Sequence, residues 1–166
     1  MNFNESVEYI HSLLAFGIKP GLERISMLLD LLDNPQDKLQ FVHIAGTNGK
    51  GSVCSYISSI LKQSDMTVGM FTSPFVTCFN ERFQVNGEYI TDCDLCDITA
   101  SVKATLDKMG DDYKIPQFGL VTIIGFVYFL KKQCDVVVLE VGLGGRTDPT
   151  NVISTPLCSV ITQIGL

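Results

Sequence analysis

The stretch His43-Ile-Ala-Gly-Thr-Asn-Gly-Lys-Gly-Ser52 sets Gly46, Gly49 and Gly51 around one lysine, Lys50. Glycines let backbone N–H groups turn inward on an anion seated at a helix N-terminus, and a lysine adds a point charge to that anion. A tight strand-to-helix turn needs fewer glycines and no lysine. The chemistry implied is phosphate binding by Thr47, Asn48, Gly49, Lys50, Gly51 and Ser52. The spacing departs from the usual G-x-x-x-x-G-K-[ST] loop, because Ile44 stands at the first glycine and Gly51 at the magnesium-binding hydroxyl. A metal ligand must therefore come partly from elsewhere in the chain.

Glu140 is a candidate. It lies near the end of the apolar run Asp135-Val-Val-Val-Leu-Glu-Val141, and a carboxylate on a buried strand must be neutralised, paired or bound to a cation. Magnesium would satisfy it, as would an ion pair with Lys50 or Arg146. Ser73, in Thr-Ser-Pro-Phe, fits a turn cap before Pro74 or a metal-binding hydroxyl. Glu81-Arg82 fits an organiser of the long loop or a surface ion pair. His43, on the strand entering the phosphate loop, reads as a buried hydrogen-bonded histidine rather than a base.

Alternating short strands and helices position these groups. Val7, Ile10, Leu13 and Leu14 recur at helical spacing after the possible caps Asn4 and Ser6, and Leu22, Ile25, Leu28, Leu29 and Leu32 recur after the break Gly17–Gly21. Phe41–Ala45 is β-prone, Ser52–Gln63 helical and Thr67–Ser73 a second strand. Asn86-Gly87 signals a hairpin turn. Helices are expected at Asp92–Met109 and Phe118–Gln133, separated by the turn-rich Gly110–Pro116. A buried parallel strand is expected at Asp135–Val141 and a last strand at Leu157–Leu166. This order predicts an α/β fold with a parallel sheet covered on both faces and ligands at the carboxyl ends of the strands.

Composition excludes several classes. With 166 residues, 46% hydrophobic and 18% charged, the chain has enough apolar material for one α/β domain. A net charge of -6 leaves no basic stripe for nucleic acid or an anionic membrane. The longest apolar run, Gly119–Leu130, falls short of the roughly 20 residues that span a bilayer. Six cysteines without a leader segment read as reduced, cytoplasmic thiols, and Cys93-x-x-Cys96 lacks the second pair or histidine that a zinc site needs.

The loop resembles that of the Mur ligase superfamily, and its Gly-Lys-Gly-Ser ending resembles the folylpolyglutamate synthase and dihydrofolate synthase branch. Gly21–Gln36, Thr72–Gly87 and Leu139–Ile153 each resemble further motifs of that family, in the family's order.

The resemblance implies a parallel-sheet P-loop NTPase-like three-layer domain over residues 1–166. It would be a truncated N-terminal part of the Mur ligase ATPase domain, with the C-terminal glutamate-ligase domain absent. It implies ATP and Mg2+ as cofactors, Lys50 as the catalytic lysine and Ser73 and Glu140 as magnesium ligands. Phe118, Arg146, Thr147 and Asp148 would contact folate or pteroate, although Asp148 could equally cap the following turn. The implied reaction phosphorylates the carboxylate of folate or dihydropteroate to an acyl phosphate, which the amine of L-glutamate attacks.

Two departures stand out. Gly119 occupies the place of a glutamate that follows the phenylalanine in the family. The sequence also stops at Leu166, where the family continues with Asp-His and its histidine metal ligand. The 166-residue chain is therefore expected to be inactive alone and to self-associate through an exposed sheet edge, the full-length protein being a monomer. The competing readings are a Mur-type peptidoglycan precursor ligase, a non-catalytic nucleotide-binding module and a plain P-loop hydrolase.

Overall fold

The computed structural model describes residues 1–17, 21–110 and 113–165. Residues 18–20 in the first expected break, 111 and 112 in the later turn, and Leu166 in the last expected strand lie outside the described residues.

Helix α1 (Phe3–Ser12) is capped by Asn2, not by Asn4 or Ser6. The Asn2 side chain accepts the Glu5 N–H at 2.9 Å while the Glu5 carboxylate accepts the Asn2 N–H at 2.9 Å, a reciprocal capping box that leaves Asn4 and Ser6 inside the first turn. Helix α2 (Glu23–Leu31) buries Ile25, Leu28 and Leu29 and ends ahead of Pro35.

Strands β1 (Phe41–Ala45), β2 (Val68–Phe71), β3 (Phe83–Val85), β4 (Glu88–Tyr89), β5 (Val136–Glu140) and β6 (Cys158–Ile161) form one sheet in the order β4-β3-β2-β5-β1-β6. β2, β5, β1 and β6 run parallel, while β3 and β4 add an antiparallel hairpin. Its turn is the expected Asn86-Gly87, with φ of 52° and 85°.

Helix α3 (Lys50–Lys62) covers one face of the sheet. Helices α4 (Asp92–Asp107) and α5 (Gln117–Lys131) join α1 and α2 on the other. Strand periodicity divides the core: Val136 and Val138 pack with Ile44, Cys54 and Val68 under α3, while Val137 and Leu139 pack with Phe41, Phe71 and the four-helix side. The alternation that turns Val136 and Val138 toward α3 carries Glu140 to the same face. Each fully buried aliphatic side chain contributes about 1.5–3 kcal/mol, so the β5 backbone presenting Glu140 is held firmly.

Three boundaries differ from expectation. α3 begins at Lys50 rather than Ser52, which brings Lys50 and Gly51 into its first turn. β2 stops at Phe71, although the Thr72 N–H still donates toward the β3 side, to the Arg82 carbonyl at 3.1 Å. β6 stops at Ile161, and the chain beyond it forms an isolated bridge, Asn48 to Gln163.

All six cysteines are free, Cys93 and Cys96 lie on α4, and no group of three or more His, Cys, Asp or Glu that could hold a metal occurs among the described residues. No helix of the described residues is long and apolar enough to cross a membrane.

Candidate functional site

The glycine loop joins the carboxyl end of β1 to α3. Gly49 takes the αL conformation at the helix N-cap, φ 83°, which costs glycine little and other residues more. Helical geometry leaves the N–H groups of Lys50, Gly51 and Ser52 without intrahelical acceptors, at the positive end of the helix dipole. The Thr47 and Asn48 N–H groups, by contrast, donate to the Gln163 carbonyl at 2.8 and 3.3 Å. The amides open to an anion thus begin at Gly49, not at Thr47. Lys50 Nζ donates to the carbonyls of Gly46 (3.0 Å) and Thr47 (3.3 Å), folded back over its own loop.

Glu140 sits beneath this helix start. Register places Ile44 beside Glu140 and Phe71 beside Leu139, so the loop after β1 and the turn after β2 converge on one carboxylate. Glu140 is 4% exposed and its Oε2 accepts the Ser73 N–H at 2.9 Å. Neither Lys50 nor Arg146 forms an ion pair with it among the described residues. Burial raises its pKa, opposed by the Ser73 N–H and by the charges of Lys50 and Arg82. A Cβ at Gly51 would meet only this carboxylate, 3.9 Å away, so the hydroxyl position of the usual P-loop opens directly onto Glu140. Beneath the same face lies Cys54, its thiol pushed up to about 12, mainly by burial and further by Glu140.

A cleft of about 760 Å³ opens beside this pair, walled by Ser73, Pro74 and Arg82, by Phe118 at the start of α5, and by the loop Gly142–Pro149. Gly142 is required by close approach: a Cβ there would lie 2.5 Å from the Phe118 ring. Phe118, Thr147 and Asp148 line the cleft, whereas Arg146 stands exposed outside its lining. Gly119 lines a separate recess of about 50 Å³ with Arg24, Ile115 and Pro149.

Asp148 is 3% exposed. Its Oδ2 accepts the Leu143 N–H at 2.8 Å and its Oδ1 accepts the Thr150 N–H (3.0 Å) and hydroxyl (2.6 Å), so the carboxylate caps the following turn and ties down the glycine-rich wall. His43 Nε2 lies 2.9 Å from Thr150 Oγ1. Because Thr150 gives its proton to the carboxylate, His43 donates from Nε2. Burial lowers the His43 pKa, partly offset by Asp148, consistent with a neutral buried histidine.

Glu81 organises the long loop. Its carboxylate accepts the Val76 N–H, the Thr77 N–H (3.1 Å) and hydroxyl (2.5 Å), and the Cys78 N–H (3.4 Å). The Thr77 hydroxyl leads the causes that bring its pKa down to about 2. Arg82 is not its ion-pair partner among the described residues; it packs instead against Phe75 and Phe79. Sequence reasoning missed this cradle, although the spacing Phe75, Phe79, Arg82 within one short loop was its visible trace.

Fold and loop define a P-loop NTPase-like three-layer α/β domain. No protein-family model matches the chain. It is nonetheless homologous along its length to the folylpolyglutamate synthase and dihydrofolate synthase family. It is 43% identical over 169 residues to folylpolyglutamate synthase of Lacticaseibacillus casei, covering all of this chain and 39% of that protein. It is 42% identical to the dihydrofolate synthase/folylpolyglutamate synthase of Bacillus subtilis, covering 98% of this chain and 38% of that protein. A solved complex of such a synthase with AMPPCP and folate superposes with a TM-score of 0.92 at 42% identity, over 100% of this chain and 41% of that one. The chain thus spans about two fifths of the length of these relatives.

Proposed function

We propose that this chain is the nucleotide- and pterin-binding part of an ATP-dependent ligase that adds L-glutamate to folate, to dihydropteroate, or to both. The observation that carries the proposal is the convergence of the phosphate loop, Glu140 and the substrate-sized cleft on one sheet edge, with Ser73 touching both Glu140 and the cleft. The relatives' names and the AMPPCP–folate complex of one of them support the substrate classes.

In this reading the Gly49–Ser52 amides and Lys50 hold the ATP phosphates. Lys50 Nζ exchanges its two carbonyl partners for phosphate oxygens and offsets charge as the terminal phosphoryl group moves. Phe118, Thr147 and the wall tied by Asp148 orient the acceptor so that its carboxylate oxygen attacks phosphorus, ADP leaves, and the resulting acyl phosphate is open to the glutamate amine. No side chain of this chain acts as nucleophile. A buried carboxylate without an ion-pair partner among the described residues, next to a serine, fits Mg2+, which typically takes one or two protein carboxylates plus phosphate oxygens and water. Glu140 and Ser73 would hold it, and it would supply charge neutralisation between phosphates.

The test is glutamate incorporation with ATP and dihydropteroate or folate. A polypeptide carrying this chain together with the remaining length found in the relatives is expected to turn over; the 166-residue chain alone is expected to bind ATP without turnover. A UDP-linked muropeptide used in preference to either pterin would replace this reading with the cell-wall one.

A further inference from the structure

A line of buried hydrogen bonds joins the strand that carries the phosphate loop to the wall of the cleft. Its members are His43 on β1, Thr150 in the short turn Pro149–Val152, and Asp148 just before that turn. Thr150 is fully buried and Asp148 nearly so. His43 Nε2 donates to Thr150 Oγ1 at 2.9 Å, the Thr150 hydroxyl donates to Asp148 Oδ1 at 2.6 Å, and Asp148 Oδ2 accepts the Leu143 N–H at 2.8 Å. His43 itself lies outside the lining of the cleft, so it reaches the acceptor only through these partners.

The two ends of this line differ in stiffness. β1 lies between β5 and β6, with His43 beside Leu139 on one side and Ser159 on the other, which leaves its backbone little freedom. The wall has little stiffness of its own: Gly142, Gly144 and Gly145 fall within four residues, the last two at φ of 75° and 126°. Its position is inherited from Asp148, and that of Asp148 from Thr150 and His43. Apolar side chains at 43 and 150 would be buried at lower cost than a histidine and a hydroxyl. They would also let the turn slide, whereas directional bonds leading to a charged group fix distance and angle. Three residues beyond His43, the same strand gives way to Gly46 and the phosphate loop. One strand therefore sets the place of both substrates.

The geometry points to His43 as a positioning residue for phosphoryl transfer: acting through Thr150 and Asp148, it keeps the acceptor wall in register with the phosphate loop. The inference rests on the reading of the cleft as the pterin site. Reacting atoms must lie within about 3–3.5 Å, and a misplacement of about 1 Å costs on the order of 10²-fold, so a wall that drifts from β1 holds its substrate poorly for transfer.

The experiment is steady-state glutamate incorporation by a polypeptide carrying this chain and the remaining length found in the relatives, with ATP and pterin varied in turn. His43→Leu removes the donor and keeps a bulky side chain; it should raise KM for the pterin about tenfold or more and leave KM for ATP unchanged. His43→Gln ends in an amide N–H near the place of Nε2 and should stay within about threefold of the wild type. His43→Asn, whose amide stops short of Thr150, should behave as the Leu variant, and it decides the matter should that variant fail to fold. A loss confined to kcat, with both KM values unchanged, is the signature of a smaller folded fraction and makes His43 merely structural. That outcome overturns the inference and leaves the cleft reading standing. So does an equal loss in the Gln and Leu variants, a Leu variant that matches the wild type, an equal rise in KM for ATP, or failure of both the Leu and Asn variants to fold. A wild-type polypeptide that incorporates glutamate into neither pterin overturns the cleft reading and this inference together.

Discussion

Glu140 accepts the Ser73 N–H at 2.9 Å, joining the end of β5 to the turn after β2 directly under the start of α3. Two residues far apart in sequence thus share one site because Phe71 and Leu139 are paired in the sheet.

Glu140→Gln keeps an oxygen for the Ser73 N–H and removes the charge. We expect Mg2+-dependent AMPPCP binding to weaken at least about tenfold with the circular dichroism spectrum unchanged. Burial raises the Glu140 pKa, so its ionised form is disfavoured by folding, and stability present below the unfolded pKa is lost as pH rises through the folded one. The Gln variant without metal should therefore melt higher than the wild type at pH 7. A lower melting temperature would show that the charge itself stabilises the fold.

Lys50→Ala removes two hydrogen bonds to loop carbonyls and no core contact. The melting temperature should move little, while turnover in a glutamate-incorporating polypeptide should fall by about 10²-fold or more. Near-normal turnover would remove Lys50 from the phosphate site.

Asp148→Ala strands three donors: the Leu143 N–H and the Thr150 N–H and hydroxyl. A loss of about 3 kcal/mol or more in urea unfolding is expected, since each orphaned buried donor costs about 1–3 kcal/mol. Pteroate binding should weaken as the cleft wall loosens. A loss of binding at unchanged stability would instead make Asp148 a direct contact.

His43 is held neutral, its pKa lowered by burial. Its contribution is complete above the unfolded value of about 6.5 and disappears as pH falls through the lowered folded value, with a slope of up to about 1.4 kcal/mol per pH unit between the two. The stability advantage of the wild type over His43→Gln should therefore shrink on acidification below pH 6.5. Denaturant midpoints measured across pH 5–8 check this; a constant difference between the two proteins would refute it.

The β6 edge exposes Leu157, Ile161 and Ile164 at 63, 70 and 66%, so the chain should self-associate in proportion to concentration. Ile161→Lys should shift it toward the monomer in light scattering, and an unchanged profile would place the contact elsewhere.

The local features were legible in the sequence. Glycine spacing around Lys50 announced the glycine-rich turn from strand to helix, the switch from period two to period 3.6 located β1 and α3, and Asn86-Gly87 marked the hairpin, because each depends on neighbours within a few residues. The apolar run through Val138 likewise exposed Glu140 as out of place on a buried strand. Three things depended on contacts between distant residues. Gln163 occupies the Thr47 and Asn48 amides across the chain. Asp148 turns inward because Leu143, Thr150 and His43 surround it. Arg82 packs against two phenylalanine rings while the loop amides hold the Glu81 carboxylate. Short-range pattern determines which element forms, but competition among donors for one acceptor is decided only when folding brings the competitors together.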